Sequence, residues 1–207
     1  MNWCDIMDNG SDSMTYNKLL EILLSGNVYN KLKQNEQEIF RLIPELKVCK
    51  GFEQNNKWHI YDVYEHILHV VSAVDNNKYL RLSALFHDIG KPLTYTQDNK
   101  GVGHFYNHWN KSIEIFKKYQ ENFGLSIGEI SLVTYLIFYH DINVEKMTDE
   151  ELNNMIDEIG TSNMKLLFSL KRADLLAQAP EFHNSLSNIN IQEQNIIKIK
   201  KLKYSKG

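Results

Sequence analysis

The side chains with the greatest chemical reach in this chain are its histidines and a few aspartates. Eight histidines occur in 207 residues, most of them between positions 59 and 140, while the two cysteines, Cys4 and Cys49, form no CxxC or paired zinc-finger pattern. A thiolate metal site and a disulfide framework therefore have no support. Helical spacing puts several histidines on apolar faces. His66 lies three residues after Val63 and four before Val70, so it projects into the core from the segment IYDVYEHILHVVSAV. His140 follows Leu136 and Val133 at i+4 and i+7, and Asp174 follows Leu170 and Leu167 in the same way. His87 follows Ala84 and Leu80 at i+3 and i+7, with Asp88 beside it. At least four helices thus turn a metal-ligating residue type inward. A buried ionised carboxylate is very costly without a partner, so these aspartates require a cation or a dense hydrogen-bond network. One such histidine alone is more often a satisfied core residue, but several converging on one bundle make metal the simpler explanation.

The elements that position these residues are read from periodicity. Apolar residues recur at three-to-four spacing almost throughout and strict alternation is nearly absent, so the predicted fold class is all-α. Helices are expected over about 15–24, 36–42 (stopping near Pro44), 63–74, 78–86, 108–123, 126–139, from 148 behind the capping box TDEE, and 162–177. The stretch LFHDIGKPLTYTQDNKGVGHFYNH breaks the pattern with Gly90, Pro92, Gly101 and Gly103, and its DNKG turn could close a small hairpin. Long irregular stretches inside compact domains are usually functional. Residues 1–13 are polar and read as disordered. Residues 188–206 read as a basic helix carrying Lys198, Lys200, Lys201, Lys203 and Lys206. No repeat, linker or composition break divides residues 1–207, which are expected to form a single domain.

Composition adds bounds. With 43% hydrophobic and 24% charged residues and a net charge of −3, the chain is ordinary for a soluble globular protein. No apolar run reaches the roughly 18 residues of a membrane span, and the N-terminus lacks signal-peptide order. A cytoplasmic, reducing setting is expected.

Order and context now add a resemblance. His66, the pair His87-Asp88 within LFHDIGKP, and the later Asp174 resemble the H…HD…D signature of the HD-domain metal-dependent phosphohydrolases. DVYEHILHVV, YLIFYHD and KRADLLAQAP are also similar to the HD region of bacterial CCA-adding tRNA nucleotidyltransferases and its stand-alone relatives, over about residues 58–182. The resemblance implies an HD-domain helical bundle with a long HD loop. It implies a metal held by His66, His87, Asp88 and Asp174, and a second completed by His108 and His140, with Asp88 bridging. Such nitrogen-plus-carboxylate sites suit iron, manganese, zinc, nickel or cobalt, with magnesium also to be considered. The implied activity is hydrolysis of a phosphomonoester or phosphodiester of a nucleotide or RNA end by a metal-activated water. The first 57 residues hold no nucleotidyltransferase head, so nucleotide addition to tRNA is not expected. The HxxxG(Y/F)P signature of cyclic-di-GMP-specific relatives is also missing.

Other residues are weighed beside this set. Lys91 could contact a phosphate oxygen as a point charge or be a solvated loop lysine. His104 could assist leaving-group protonation, bind substrate, or lie exposed. His69 suits core packing more than support of the metal site, and His59 and His183 receive no role. Phe105, Tyr106 and Trp109 could stack on a base but suit packing better. The C-terminal lysines could bind RNA phosphates, although a solvated helix end is the commoner outcome. Two readings stay open beside the hydrolase: a nucleotide-binding sensor that keeps the metal pocket, and an RNA-binding accessory module.

Overall fold

Capping residues set where the helices begin. In the computed structural model, which describes residues 14–204 and the side chains to Ile196 apart from Glu145, twelve α-helical segments occur. They are α1 (Tyr16–Leu23), α2 (Val28–Gln34), α3 (Glu36–Leu42), α4 (Pro44–Cys49), α5 (Val63–Ala73), α6 (Lys78–Phe86), α7 (Lys91–Thr94), α8 (His108–Tyr119), α9 (Ile127–Tyr139), α10 (Asp149–Ile159), α11 (Met164–Leu176) and α12 (Leu186–Tyr204). Thr15, Asp62 and Asn77 cap α1, α5 and α6 through side-chain acceptors, and Ser126 and Thr148 form full capping boxes with Glu129 and Glu151. The all-α expectation is met. The DNKG turn closes the anticipated hairpin, in which β1 (Thr96–Gln97) pairs antiparallel with β2 (Gly103–His104). Helices α2, α4 and the short α7 are not among the expected elements. Pro44 ends the pattern of α3 but stands in the first turn of α4, where its missing N–H costs nothing.

Burial explains the arrangement. Every residue from Leu80 to Phe86 of α6 is buried, so this helix is covered on all sides, with α5 and α9 packed along it and α11 against α5. One hydrophobic cluster runs from Leu19 of α1 to Ile196 of α12. The C-terminal end of the central helix is therefore a point that α5, α8, α9 and α11 can all reach, and there the sequence places His87 and Asp88. No helix among the described residues is long and apolar enough to cross a membrane. Residues 1–13 lie outside the described residues. So do the side chains of Lys198, Lys200, Lys201 and Lys203 and all of Lys206, on which the RNA-binding expectation rests.

Candidate metal centre

Three of the histidines stand at helix ends, and that position fixes their chemistry. His87 follows α6, His140 follows α9, and His108 begins α8 behind Asn107, whose φ of 58° is left-handed. In each case Nδ1 meets the carbonyl three residues earlier: Ala84 at 2.7 Å, Ile137 at 2.6 Å and Phe105 at 2.9 Å. A carbonyl only accepts, so Nδ1 carries the proton and Nε2 is left to face inward. There the nitrogens meet one another: His87 Nε2 is 3.4 Å from His66 Nε2, and His108 Nε2 is 3.2 Å from His140 Nε2. Two lone pairs at that separation repel unless a cation, a proton or a metal, lies between them.

Asp88 joins the two halves. It is 1% exposed, and its oxygens divide: Oδ2 lies 3.3 Å from the Nε2 of both His66 and His87, while Oδ1 lies 3.0 Å from His108 Nε2 and 3.7 Å from His140 Nε2. Asp174 Oδ1, from the last turn of α11, lies 3.0 Å from His66 Nε2. Ligand atoms of His66, His87, Asp88 and Asp174 form one group within 4.8 Å of one another, and those of Asp88, His108 and His140 form another. All six residues expected at the site are thus brought together. The donor set fits divalent metal in both halves: nitrogens facing without a proton donor between them, carboxylates within reach, and Asp88 Oδ2 receiving no well-aligned hydrogen bond.

The electrostatics agree. Burial alone would lower the His66 pKa, but hydrogen bonds to Asp174 and Asp88 carry it up to about 9. Burial would raise the Asp88 carboxyl, yet the charges of His87 and Lys91, together with the His108 and His140 rings against Oδ1, hold it well below its usual range. The cluster is built to hold positive charge.

Lys91 is 5% exposed rather than solvated; its ammonium donates to Gln54 Oε1 at 2.9 Å and meets His59 Nε2 at 3.2 Å, and it forms an ion pair with Asp88 Oδ2 at 2.6 Å. Its charge is thus already paired, so a phosphate contact would have to compete with Asp88. His59, given no role from sequence, therefore touches the site. Burial and the neighbouring Lys91 push its pKa down to about 2, so it stays neutral, donating from Nδ1 to Asn56 Oδ1 at 2.8 Å and accepting at Nε2. Gln54 was also missed. His104 does not join the cluster: it sits on the hairpin, 3.3 Å from Asp98, in the wall of the cavity. His69 stacks on Tyr61 and is not part of either ligand group, and His183 meets the Gln178 carbonyl. Cys49 is buried below the HD turn, and burial pushes its thiol pKa up.

Lys171 was overlooked as well. Its buried amine donates to the carbonyls of Tyr139, His140 and Ile142 at 3.2, 2.7 and 2.8 Å, closing the C-terminal end of α9 where His140 stands. Burial lowers its pKa to about 8. Lys171→Met is expected to destabilise the protein by about 2–4 kcal/mol, because hydrogen bonds to a charged group contribute about 1.5–3 kcal/mol and the carbonyls would be orphaned. Denaturant unfolding measures this, and a loss under about 0.5 kcal/mol, the size of an ordinary surface change, rejects the capping role.

A cavity of ≈ 520 Å³ opens onto the cluster, lined by Asp88, Lys91, His108, His140 and Asp174 on its floor and by Trp58, His104 and Tyr106 farther out. A larger one of ≈ 740 Å³, between α9 and α10, contains none of the six residues.

Comparison with known proteins bears on the same region. A family model described as HD domain matches residues 57–180, a span that contains all six residues. The Multifunctional CCA protein of Shewanella frigidimarina (strain NCIMB 400) is 37% identical over 98 residues, covering 45% of this chain and 23% of that protein. The match thus spans about a quarter of that relative's length.

Proposed function

We propose, from the premise that this chain belongs to the HD-domain family, that it hydrolyses a phosphomonoester or phosphodiester of a nucleotide or RNA end at a site for two divalent metals. The observation that carries the reading is the division of the two Asp88 oxygens between two histidine groups. In it, His66, His87, Asp88 and Asp174 hold one metal and Asp88, His108 and His140 the other. When bound, the metal supplies Lewis acidity and acidifies water near neutral pH. The chain's own residues fix the geometry of that chemistry. Lys91, braced by Gln54 and His59, orients Asp88 and offsets its charge. Iron, manganese, zinc, nickel and cobalt suit the nitrogen-rich donors best, with magnesium less suited.

The test is metal analysis of the purified protein followed by chelation and reloading. About two equivalents per chain are expected. Hydrolysis of nucleoside cyclic phosphates, nucleoside monophosphates or a simple aryl phosphodiester should vanish on chelation and return with one of these metals. A protein that binds two metals but turns over none of these esters refutes the enzymatic reading in favour of a binding role. One that retains no metal refutes the site.

A further inference from the structure

Two aromatic rings at the rim of the cavity remain exposed and belong to neither the core nor the metal centre. Among the large hydrophobic side chains that the described residues leave exposed, Trp58 (41%) and Tyr106 (68%) are the aromatic ones, and both line this cavity. Each is one residue from a contact of Lys91: Trp58 precedes His59, whose Nε2 meets the Lys91 amine, and Tyr106 follows Phe105, whose ring lies 5.3 Å from that amine. Each is also held in place. The Trp58 N–H donates to Asn56 Oδ1 at 3.1 Å, and its carbonyl accepts from the Ala179 N–H at 2.8 Å. Tyr106 lies almost parallel to the His104 ring, with 7° between the planes and 5.3 Å between centroids, and His104 is tied to Asp98 across the hairpin. Trp58 also leans on Phe182, 6.1 Å between centroids, with the Lys57 amine 5.2 Å from its ring, whereas Phe105 and Trp109, packed on Tyr95 and on Phe138, are only partly exposed.

Exposed rings on a cavity rim present faces on which a flat group can stack. The ≈ 520 Å³ cavity falls within the roughly 300–1,000 Å³ of small-molecule sites. With metal held by its aspartates and histidines, its floor would suit a phosphate, and its rim offers two anchored aromatic rings. Base stacking on aromatic side chains is tolerant of sequence because every base has a π face.

We propose that Trp58 and Tyr106 hold the nucleobase of a substrate whose phosphate lies at the His/Asp cluster, so that the substrate class is a single nucleotide or the terminal nucleotide of an RNA. His104 is then a positioning residue that braces Tyr106. This rests on the hydrolase reading for the phosphate end, but base binding can be measured without turnover.

The experiment compares the parent with Trp58→Ala, Tyr106→Ala and Trp58→Phe. Fluorescence titration with adenosine and uridine monophosphates, without and with metal, gives affinity directly. Each alanine variant should bind about tenfold more weakly, and Trp58→Phe should restore most of the loss. In turnover, KM should rise for nucleoside cyclic phosphates in the alanine variants and stay unchanged for a ribose phosphate lacking a base. His104→Ala should raise the nucleotide KM and leave the shape of the kcat pH profile intact. Unchanged nucleotide affinity in both alanine variants, or an equal KM rise for the base-free ester, overturns the proposal. A kcat loss in His104→Ala with one limb of the pH profile missing overturns the positioning role. If no ester is hydrolysed but the alanine variants lose nucleotide affinity, the base site stands and the hydrolase reading fails. A tetranucleotide with a 3′ phosphate, titrated beside the mononucleotides, separates the two sources: tighter binding of the oligomer points to an RNA end, equal binding to a free nucleotide.

Discussion

Asp88→Asn is expected to strip both metals from the protein and to lower phosphoester hydrolysis by roughly 10²–10⁴-fold. Asparagine keeps the shape of the side chain but offers one neutral oxygen in place of two anionic ones. Oδ2 serves His66 and His87 and Oδ1 serves His108 and His140, so one substitution removes a charged ligand from both halves. Removing one partner of a buried, charged arrangement costs about 3–5 kcal/mol, and each ~1.36 kcal/mol is a factor of ten. Lys91 adds to the effect, because its buried ammonium would keep Gln54 and His59 as neutral acceptors and lose its only anion at hydrogen-bond range. Asp174→Asn should act on one half only, since Asp174 lies against His66 and His87 and belongs to the first group alone. Metal counting distinguishes the two: near zero for Asp88→Asn and near one for Asp174→Asn, with circular dichroism confirming that both remain folded. Equal metal loss in the two variants would contradict a shared carboxylate.

How far the site could be read from sequence depended on where each residue sits in its helix. His66 and Asp174 lie within α5 and α11, so the residues at i±3 and i±4 declare the face they occupy. His108 starts α8 behind a left-handed Asn107, with no preceding turn to give it a phase, and only resemblance to a family suggested it. Gln54 and His59 belong to an irregular segment whose geometry is set by contacts far along the chain, with Lys91 and with Gly103, so no local pattern marks them. Lys171 is different. It falls at i+4 from Leu167 and three residues before Asp174, and a lysine on an apolar stripe is itself a signal that a buried acceptor awaits it. The helices missed, α2, α4 and α7, are seven, six and four residues long, so each gives periodicity little to register and is held by packing on its neighbours.

The second large effect is expected at Gly90, where nothing about the backbone demands glycine. Its φ of −82° and ψ of −10° are open to any residue, so the constraint is tertiary. A Cβ built there would stand 2.5 Å from the Ser112 backbone nitrogen, 2.6 Å from the His108 carbonyl oxygen and 2.8 Å from Lys111 Cβ. Backbone atoms of a packed helix cannot rotate away as a side-chain tip can. The close approach is also stitched: Ser112 Oγ accepts from the Gly90 N–H at 3.0 Å and donates to the His87 carbonyl at 2.7 Å. Gly90→Ala must therefore lift the turn that carries Asp88 away from the start of α8, where His108 stands. Overpacking of this kind costs about 1–3 kcal/mol, and a shift near 1 Å at the reacting centre costs about 10²-fold in rate. The strain falls across the Asp88–His108 contact, so the metal of His108 and His140 should be lost first, leaving about one equivalent on the His66 side. Ser112→Ala provides the graded comparison: it removes the stitching without adding bulk, and should cost about 1 kcal/mol of stability with both metals retained. Two full metal equivalents and parental hydrolysis in Gly90→Ala would mean that the HD turn has slack, and that its approach to α8 does not set the spacing of the two halves.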